Sequence, residues 1–243
     1  MPLPLAFHKI DNRLEWGFTR NSVRGFKRII ELLRNRSFHC EDELFEISFD
    51  DGYSSVYYNA LPILGGTSLR SIVFIITDFI GKQSNWDIYP GSGKFDHLTE
   101  NQIRLLSENG FIIGSHTLSH RNLCGLDPKT LRSELNDSKK KLEDICGTAI
   151  DAVSYPFGRY DRRVAETALE CGYRYGYTFF RNSSIDKNDN SLADMSRERI
   201  PIYLFDTPLS VLLKLGSLRT FENLKGRIIK SYNIFTEKLT EKR

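Results

Sequence analysis

The 243-residue chain contains no run approaching the roughly 20 uninterrupted apolar residues that a membrane-spanning helix needs. Its most apolar stretch, residues 71–76, is short and rich in β-branched residues, the pattern of a buried strand. The opening Met1-Pro2-Leu3-Pro4-Leu5 lacks the basic segment and long apolar core of a secretory signal, so a cytoplasmic location is expected. Cysteine is scarce: Cys40, Cys124, Cys146 and Cys171 are irregularly spaced with no C-x-x-C, which argues against a zinc–thiolate site and for free thiols. Charge of one sign is also lacking, since 34 Lys+Arg against 31 Asp+Glu leave a net +3. No dense basic stripe accompanies it, so no nucleic-acid partner is expected. Pro90-Gly91-Ser92-Gly93-Lys94 has Phe95 where a phosphate loop requires Ser or Thr, and no strand precedes it.

What is present is an alternation of two periodicities. Strand-like runs at residues 3–8, 44–49, 71–76, 111–114, 149–155, 173–179 and 199–204 are separated by segments of helical spacing. Those segments cover residues 19–33, 54–64, 99–109, 128–146 and 161–170. Such alternation predicts a parallel α/β architecture, either an open sheet or a barrel. Beyond residue 206 the pattern weakens into an apolar segment and a basic tail. That tail is read as a solvated terminal helix, with a membrane-peripheral amphipathic helix as the alternative.

In an α/β barrel the reactive groups belong at the C-terminal ends of the strands. Here those ends carry His8, Asp50-Asp51-Gly52, His116 with His120, and Tyr155-Pro156-Phe157-Gly158. Adjacent carboxylates repel one another unless a cation sits beside them, although Asp-Gly also suits a hairpin turn. His116 and His120 are four apart, one face of a helical turn and a familiar chelating spacing, yet weak alone. Two His and one carboxylate form a recognised site for zinc or a similar ion. His39 and His97 lie in polar segments and read as solvated.

Taken together, Ser48-Phe49-Asp50-Asp51-Gly52, His116-Thr117-Leu118-Ser119-His120 and Ser154-Tyr155-Pro156-Phe157-Gly158 resemble the ordered motifs of the polysaccharide deacetylases. These are the NodB-homology enzymes of carbohydrate esterase family 4, and the resemblance spans roughly residues 5–205. It implies a distorted (β/α) barrel of about seven strands over residues 1–205, with residues 206–243 as a C-terminal tail. It further implies hydrolysis of N-acetyl groups on an acetylated glycan. Asp50 matches the base that activates a metal-held water, and Asp51, His116 and His120 match the ligands of a divalent metal. Zinc is expected first, with cobalt or nickel as alternatives. The Phe157 N–H matches an oxyanion donor, with Tyr155 and Trp86 as further substrate contacts.

Three departures stand out. The family's third motif often carries an Arg that braces the base, where this chain has Val153 and Ser154. No His follows His120, so the usual C-terminal general acid is missing. An Asp-Trp fourth motif has only Asp161 as a loose counterpart. Phe7-His8-Lys9-Ile10 resembles the start of the permuted poly-N-acetylglucosamine deacetylases, and this implies that His8 supplies the acid. Two alternatives remain open at this point: a catalytically silent glycan-binding member, and an O-acetyl esterase. The tail leaves peripheral membrane contact as a further expectation.

Overall fold

The computed structural model describes residues 4–13, 18–37, 46–84, 94–179 and 192–215. In chain order they form β1 (Leu5–Phe7), β2 (Lys9–Ile10), β3 (Arg20–Asn21), α1 (Val23–Ser37) and β4 (Glu46–Phe49). A π-helical turn at Val56–Ala60 runs into the short α2 (Leu61–Leu64), followed by β5 (Arg70–Ile75), α3 (Glu100–Glu108) and β6 (Ile112–Ser115). Then come α4 (Pro128–Cys146), β7 (Ala152–Ser154), α5 (Arg162–Glu170), β8 (Tyr175–Thr178), β9 (Arg197–Glu198), β10 (Ile200–Pro201) and α6 (Pro208–Leu215). Helix starts follow local chemistry. Thr99 and Gln102 form a reciprocal capping box on α3, and Asp127 caps α4 with Pro128 in its first turn.

One sheet runs in the order β10-β1-β4-β5-β6-β7-β8-β9, with every pairing parallel. β9 and β10 are separated by Arg199 alone, so a single extended segment pairs with β8 through its first half and with β1 through its second. The Arg199 N–H donates to the Thr178 carbonyl at 2.9 Å, and the Ile200 N–H donates to the Pro4 carbonyl at 2.8 Å. That segment closes the sheet into a barrel of seven staves, as the family resemblance implies.

The two-residue period of the strands sorts the side chains. On β5, Ile72 and Phe74 point into the barrel and meet Ala152 and Tyr177. Val73 and Ile75 point outward and join the larger core under the helices, with Phe26 and Leu33 of α1, Leu135 of α4 and Val164 of α5. The interior is therefore packed rather than hollow, and the chemistry is confined to the rim. α6 belongs to this body. Val211 is buried, and Lys214 is buried with its ammonium on Asp206 (2.8 Å) and the Pro201 carbonyl (2.9 Å). The boundary expected at residue 206 thus falls ahead of a helix that is docked on the barrel.

Candidate active site

β4 ends at Phe49, and the backbone then turns through two residues of positive φ, Asp51 (69°) and Gly52 (70°). A Cβ at Gly52 would lie 3.3 Å from the Ile75 backbone, so conformation and space both require glycine there. The turn sends the neighbouring carboxylates to different partners. It follows a parallel strand and closes no hairpin.

Asp51 turns toward His116 and His120. Its Oδ1 is 3.4 Å from Nε2 of His116 and 3.7 Å from Nε2 of His120, and the three ligand atoms lie within 4.8 Å of one another. His116 Nδ1 must carry a proton, because it sits 2.8 Å from the Ser154 carbonyl, which can only accept. Its Nε2 is thereby aimed at Asp51, the orientation a metal-ligating imidazole needs.

The i,i+4 spacing of the two histidines is not made by a helix. Residues 116–120 form a loop in which Thr117 (66°) and His120 (64°) both have positive φ. Three anchors hold it. The Glu134 carboxylate takes both the N–H and the hydroxyl of Ser119, the Glu134 carbonyl takes the Leu118 N–H, and Ser115 Oγ takes the Thr117 N–H.

Electrostatics bind the cluster together. Burial pushes the Asp51 carboxyl up, but the His116 hydrogen bond and the nearby imidazoles outweigh it and hold it well below the ordinary carboxylate range. Burial and the adjacent His116 press His120 down to about 3. His116 ends above its ordinary value, since Asp50 and Asp51 overcome its burial. One carboxylate and two imidazoles thus converge within 4.8 Å of one another, a donor set that fits a divalent cation.

Asp50 turns the other way, into the barrel, and meets Arg199. Nη1 and Nη2 of Arg199 each lie 2.8 Å from one Asp50 oxygen, a bidentate fork in which both side chains are buried. The same guanidinium donates to Ser48 Oγ at 3.1 Å and Ser154 Oγ at 2.7 Å. It lies over the rings of Phe74 (5.0 Å) and Phe179 (4.8 Å). Burial raises the Asp50 carboxyl, while Arg199 and His116 more than reverse this and leave it below its ordinary value.

His8 also faces this cluster. It lies within electrostatic reach of Asp51, Asp50 and His116, its ring stacks 6.2 Å from Phe179, and its Nδ1 is buried without a hydrogen-bond partner. Burial lowers its pKa against the pull of the two carboxylates. Phe157 has a positive φ (59°) and sets its ring 4.7 Å from His120, followed by Gly158 at 65°. A Cβ on Gly158 would meet Phe179 at 3.2 Å.

The polysaccharide deacetylase family model matches residues 40–176, more than half of the chain. The chain belongs to the polysaccharide deacetylase family. It is 35% identical over 132 residues to YxkH of Bacillus subtilis (strain 168), a protein named for the same family, covering 54% of this chain and 43% of that one. It is 24% identical over 153 residues to the poly-β-1,6-N-acetyl-D-glucosamine N-deacetylase of Staphylococcus aureus (strain MRSA252), covering 59% and 50%. The chain therefore spans about half the length of these curated relatives or less. The fold resembles that of the Streptococcus pyogenes deacetylase PplD in complex with acetate, with a TM-score of 0.71, 20% identity and coverage of 89% and 99%. It also resembles IcaB from Ammonifex degensii, at a TM-score of 0.64, 19% identity and coverage of 82% and 91%.

Set against the motifs of this family, several sequence expectations change. The guanidinium missing from the third motif is present, delivered by Arg199 from the closing strand, and Ser154 of the third motif hydrogen-bonds to it. His97 is not solvated: it is buried, stacks on Tyr53 at 4.7 Å and donates through Nδ1 to the Asp51 carbonyl at 2.9 Å, buttressing the turn. Asp161 is the N-cap of α5 and accepts the Val164 N–H at 2.8 Å. Trp86 and His39 lie outside the described residues.

The Tyr155 side chain, expected as a substrate contact, faces the core rather than the site. Strand alternation sends its side chain into the core, where it stacks on Tyr160 and its hydroxyl donates to the Met195 carbonyl at 3.1 Å. Burial raises that phenol far above its ordinary pKa. Tyr155→Phe is expected to lower stability by about 1–3 kcal/mol, by leaving a buried carbonyl unpaired. Turnover per folded molecule should not change. Denaturant unfolding with parallel activity assays checks this, and a large loss of turnover at unchanged stability would restore Tyr155 to the site.

Proposed function

We propose that this chain is a metal-dependent hydrolase that removes N-acetyl groups from an amino-sugar or polysaccharide. The observation that carries it is the pairing of two differently engaged carboxylates at one strand end: Asp51 with two imidazoles, and Asp50 with a buried arginine. Asp51, His116 and His120 would hold the ion, zinc first, with cobalt or nickel as alternatives. When bound, such an ion polarises an acetyl oxygen and acidifies water.

The remaining work falls to the chain itself. Asp50 accepts a proton from the attacking water. Its two oxygens carry about four lone-pair sites, so the Arg199 fork leaves acceptor capacity free. The Phe157 N–H donates to the oxyanion that forms on the acetyl group, a preorganised dipole of the kind that stabilises such charge. His8 gives a proton to the departing nitrogen, so that acetate and a free amine are released. Bracing of Asp50 by Arg199 weakens the silent-module reading, which rested on an unbraced base. The low proton affinity of buried His8 favours the O-acetyl ester as a second substrate class, because an alkoxide needs a proton less than an amide nitrogen does.

The ligand and base assignments separate on substitution. Asp51→Ala, His116→Ala and His120→Ala are each expected to lose bound metal, whereas Asp50→Asn keeps metal and loses turnover. Metal analysis of the four purified variants reads this out, and a metal-free Asp50→Asn would reverse the assignment. Chelation should abolish acetate release from acetylated glycans, and zinc, cobalt or nickel should restore it. Full acetate release after exhaustive metal removal would end the proposal.

A further inference from the structure

The face that α4 turns to the barrel is apolar at Leu131, Leu135, Leu142 and Ile145. Three polar residues interrupt it, Glu134, Ser138 and Lys141, spaced four and three apart so that they share one side of the helix. Each of them holds the loop that carries His116 and His120, or the strand end beside it. The Glu134 carboxylate accepts the Ser119 N–H at 2.9 Å and the Ser119 hydroxyl. Ser138 Oγ lies 2.7 Å from Ser115 Oγ, which accepts the Thr117 N–H at 3.0 Å. Lys141 Nζ donates to the Thr77 carbonyl at 2.8 Å, and the Thr77 N–H donates to the Thr117 carbonyl at 3.2 Å. One helix thereby fixes the segment between the two histidines at several points.

Glu134 stands apart from the other two. It is only 4% exposed, and it makes no ion pair among the described residues. Both of its oxygens accept from Ser119, the behaviour of an ionised carboxylate. A buried carboxylate with no cation beside it costs stability, so its place against this loop calls for a compensating charge. A divalent ion held by Asp51, His116 and His120 would supply one, since ion and Asp51 together leave one net positive charge. We propose that Glu134 is a positioning residue for this centre: it fixes the His120 end of the loop through Ser119 and balances the bound ion. Charges removed from bulk water are screened less, so Glu134 need not touch the ion to favour it. This role rests on the metal-holding role proposed above for Asp51, His116 and His120.

Zinc titration of the full chain against a competing chromophoric chelator tests it, with Asp51→Ala as the disabled site. Glu134→Gln keeps the size and removes the charge. It is expected to weaken zinc binding about tenfold, the lower end of what groups outside the ligand set contribute. Ser119→Ala should weaken it less, because the Ser119 N–H still reaches the carboxylate. Adding Ser119→Ala to Glu134→Gln should cost little more, since the two act through one contact. Ser119 is half-buried, so its truncation keeps the test open even if the Glu134 variant is unstable. Tyr155→Phe is the stability control: it weakens the barrel away from this loop and should bind zinc as the parent does. Circular dichroism of the metal-free variants checks that each is folded at the titration temperature. Folded Glu134→Gln and Ser119→Ala proteins that bind zinc as tightly as the parent overturn the role of Glu134 and leave the metal site standing. An equal loss in Tyr155→Phe also overturns it, because general destabilisation would then account for the effect. A parent that binds no zinc, or no more tightly than Asp51→Ala, fails the metal site itself, and the role of Glu134 with it.

Discussion

Arg199→Met is expected to destabilise the protein by about 3–5 kcal/mol, the range for removing one partner of a buried ion pair. The thermal midpoint should fall by roughly ten degrees. The substitution leaves the Asp50 carboxylate buried and stripped of two 2.8 Å charge-assisted hydrogen bonds, while methionine keeps the apolar contact with Phe74 and Phe179. Arg199→Lys should fall between, because a single ammonium cannot span both carboxylate oxygens. In the double variant with Asp50→Asn the stranded charge is gone, so much of the stability should return while turnover does not.

The pH dependence has a definite sign. The Asp50 carboxyl is held below its ordinary 3.8, so the pair's contribution is complete above that value and is lost as pH falls below it. Removing Arg199 should therefore flatten the acid limb of the stability curve below about pH 4. Thermal melts across pH for the single and double variants test all of this. An Arg199→Met protein that melts with the parent would show that the fork does not hold Asp50.

This pair also marks the limit of what the sequence revealed. Strands and helices longer than a few residues announced themselves through their periods, and Pro128–Cys146 was legible to the residue because Pro and the chain's apolar spacing coincide there. Barrel closure was not, because β9 and β10 are two residues each and carry no period. Arg199 was hidden for the same reason: its partner lies 149 residues away, and local pattern says nothing about which strand comes to rest beside β1. The His116–His120 spacing suggested the right chemistry through the wrong geometry. A helical turn and a loop with two left-handed residues both bring positions i and i+4 together, and anchors from Ser115 and from Glu134, fourteen residues on from His120, decide between them. His97 was misjudged because it ends the polar stretch of residues 81–98, whereas its burial comes from Tyr53 and Phe79 elsewhere in the chain. At Tyr155 motif membership and side-chain direction diverged: the motif's backbone reaches the site while the phenol packs inward.

His8→Ala is expected to lower amide hydrolysis by roughly 10²–10⁴, the usual contribution of a positioned acid, while sparing most cleavage of an aryl acetate. An amide nitrogen cannot depart as an anion, whereas a phenolate leaves without a proton. His8 sits at the end of β1 and shares its surroundings with Asp50, Asp51 and His116, and its buried Nδ1 has no partner that would fix it as a structural hydrogen-bonding residue. Its lowered pKa sharpens the expectation: a less basic imidazole is a stronger acid once protonated but is protonated in fewer molecules at neutral pH. Amide turnover should therefore decline as pH rises through neutrality more steeply than ester turnover does. Metal content should be unchanged in the variant, since His8 is not among the three converging ligands. Parallel assays of acetate release from an N-acetylated glycan and from an aryl acetate, with metal analysis alongside, separate the possibilities. Equal losses on the two substrates would make His8 a structural residue, and a drained metal site would make it a ligand.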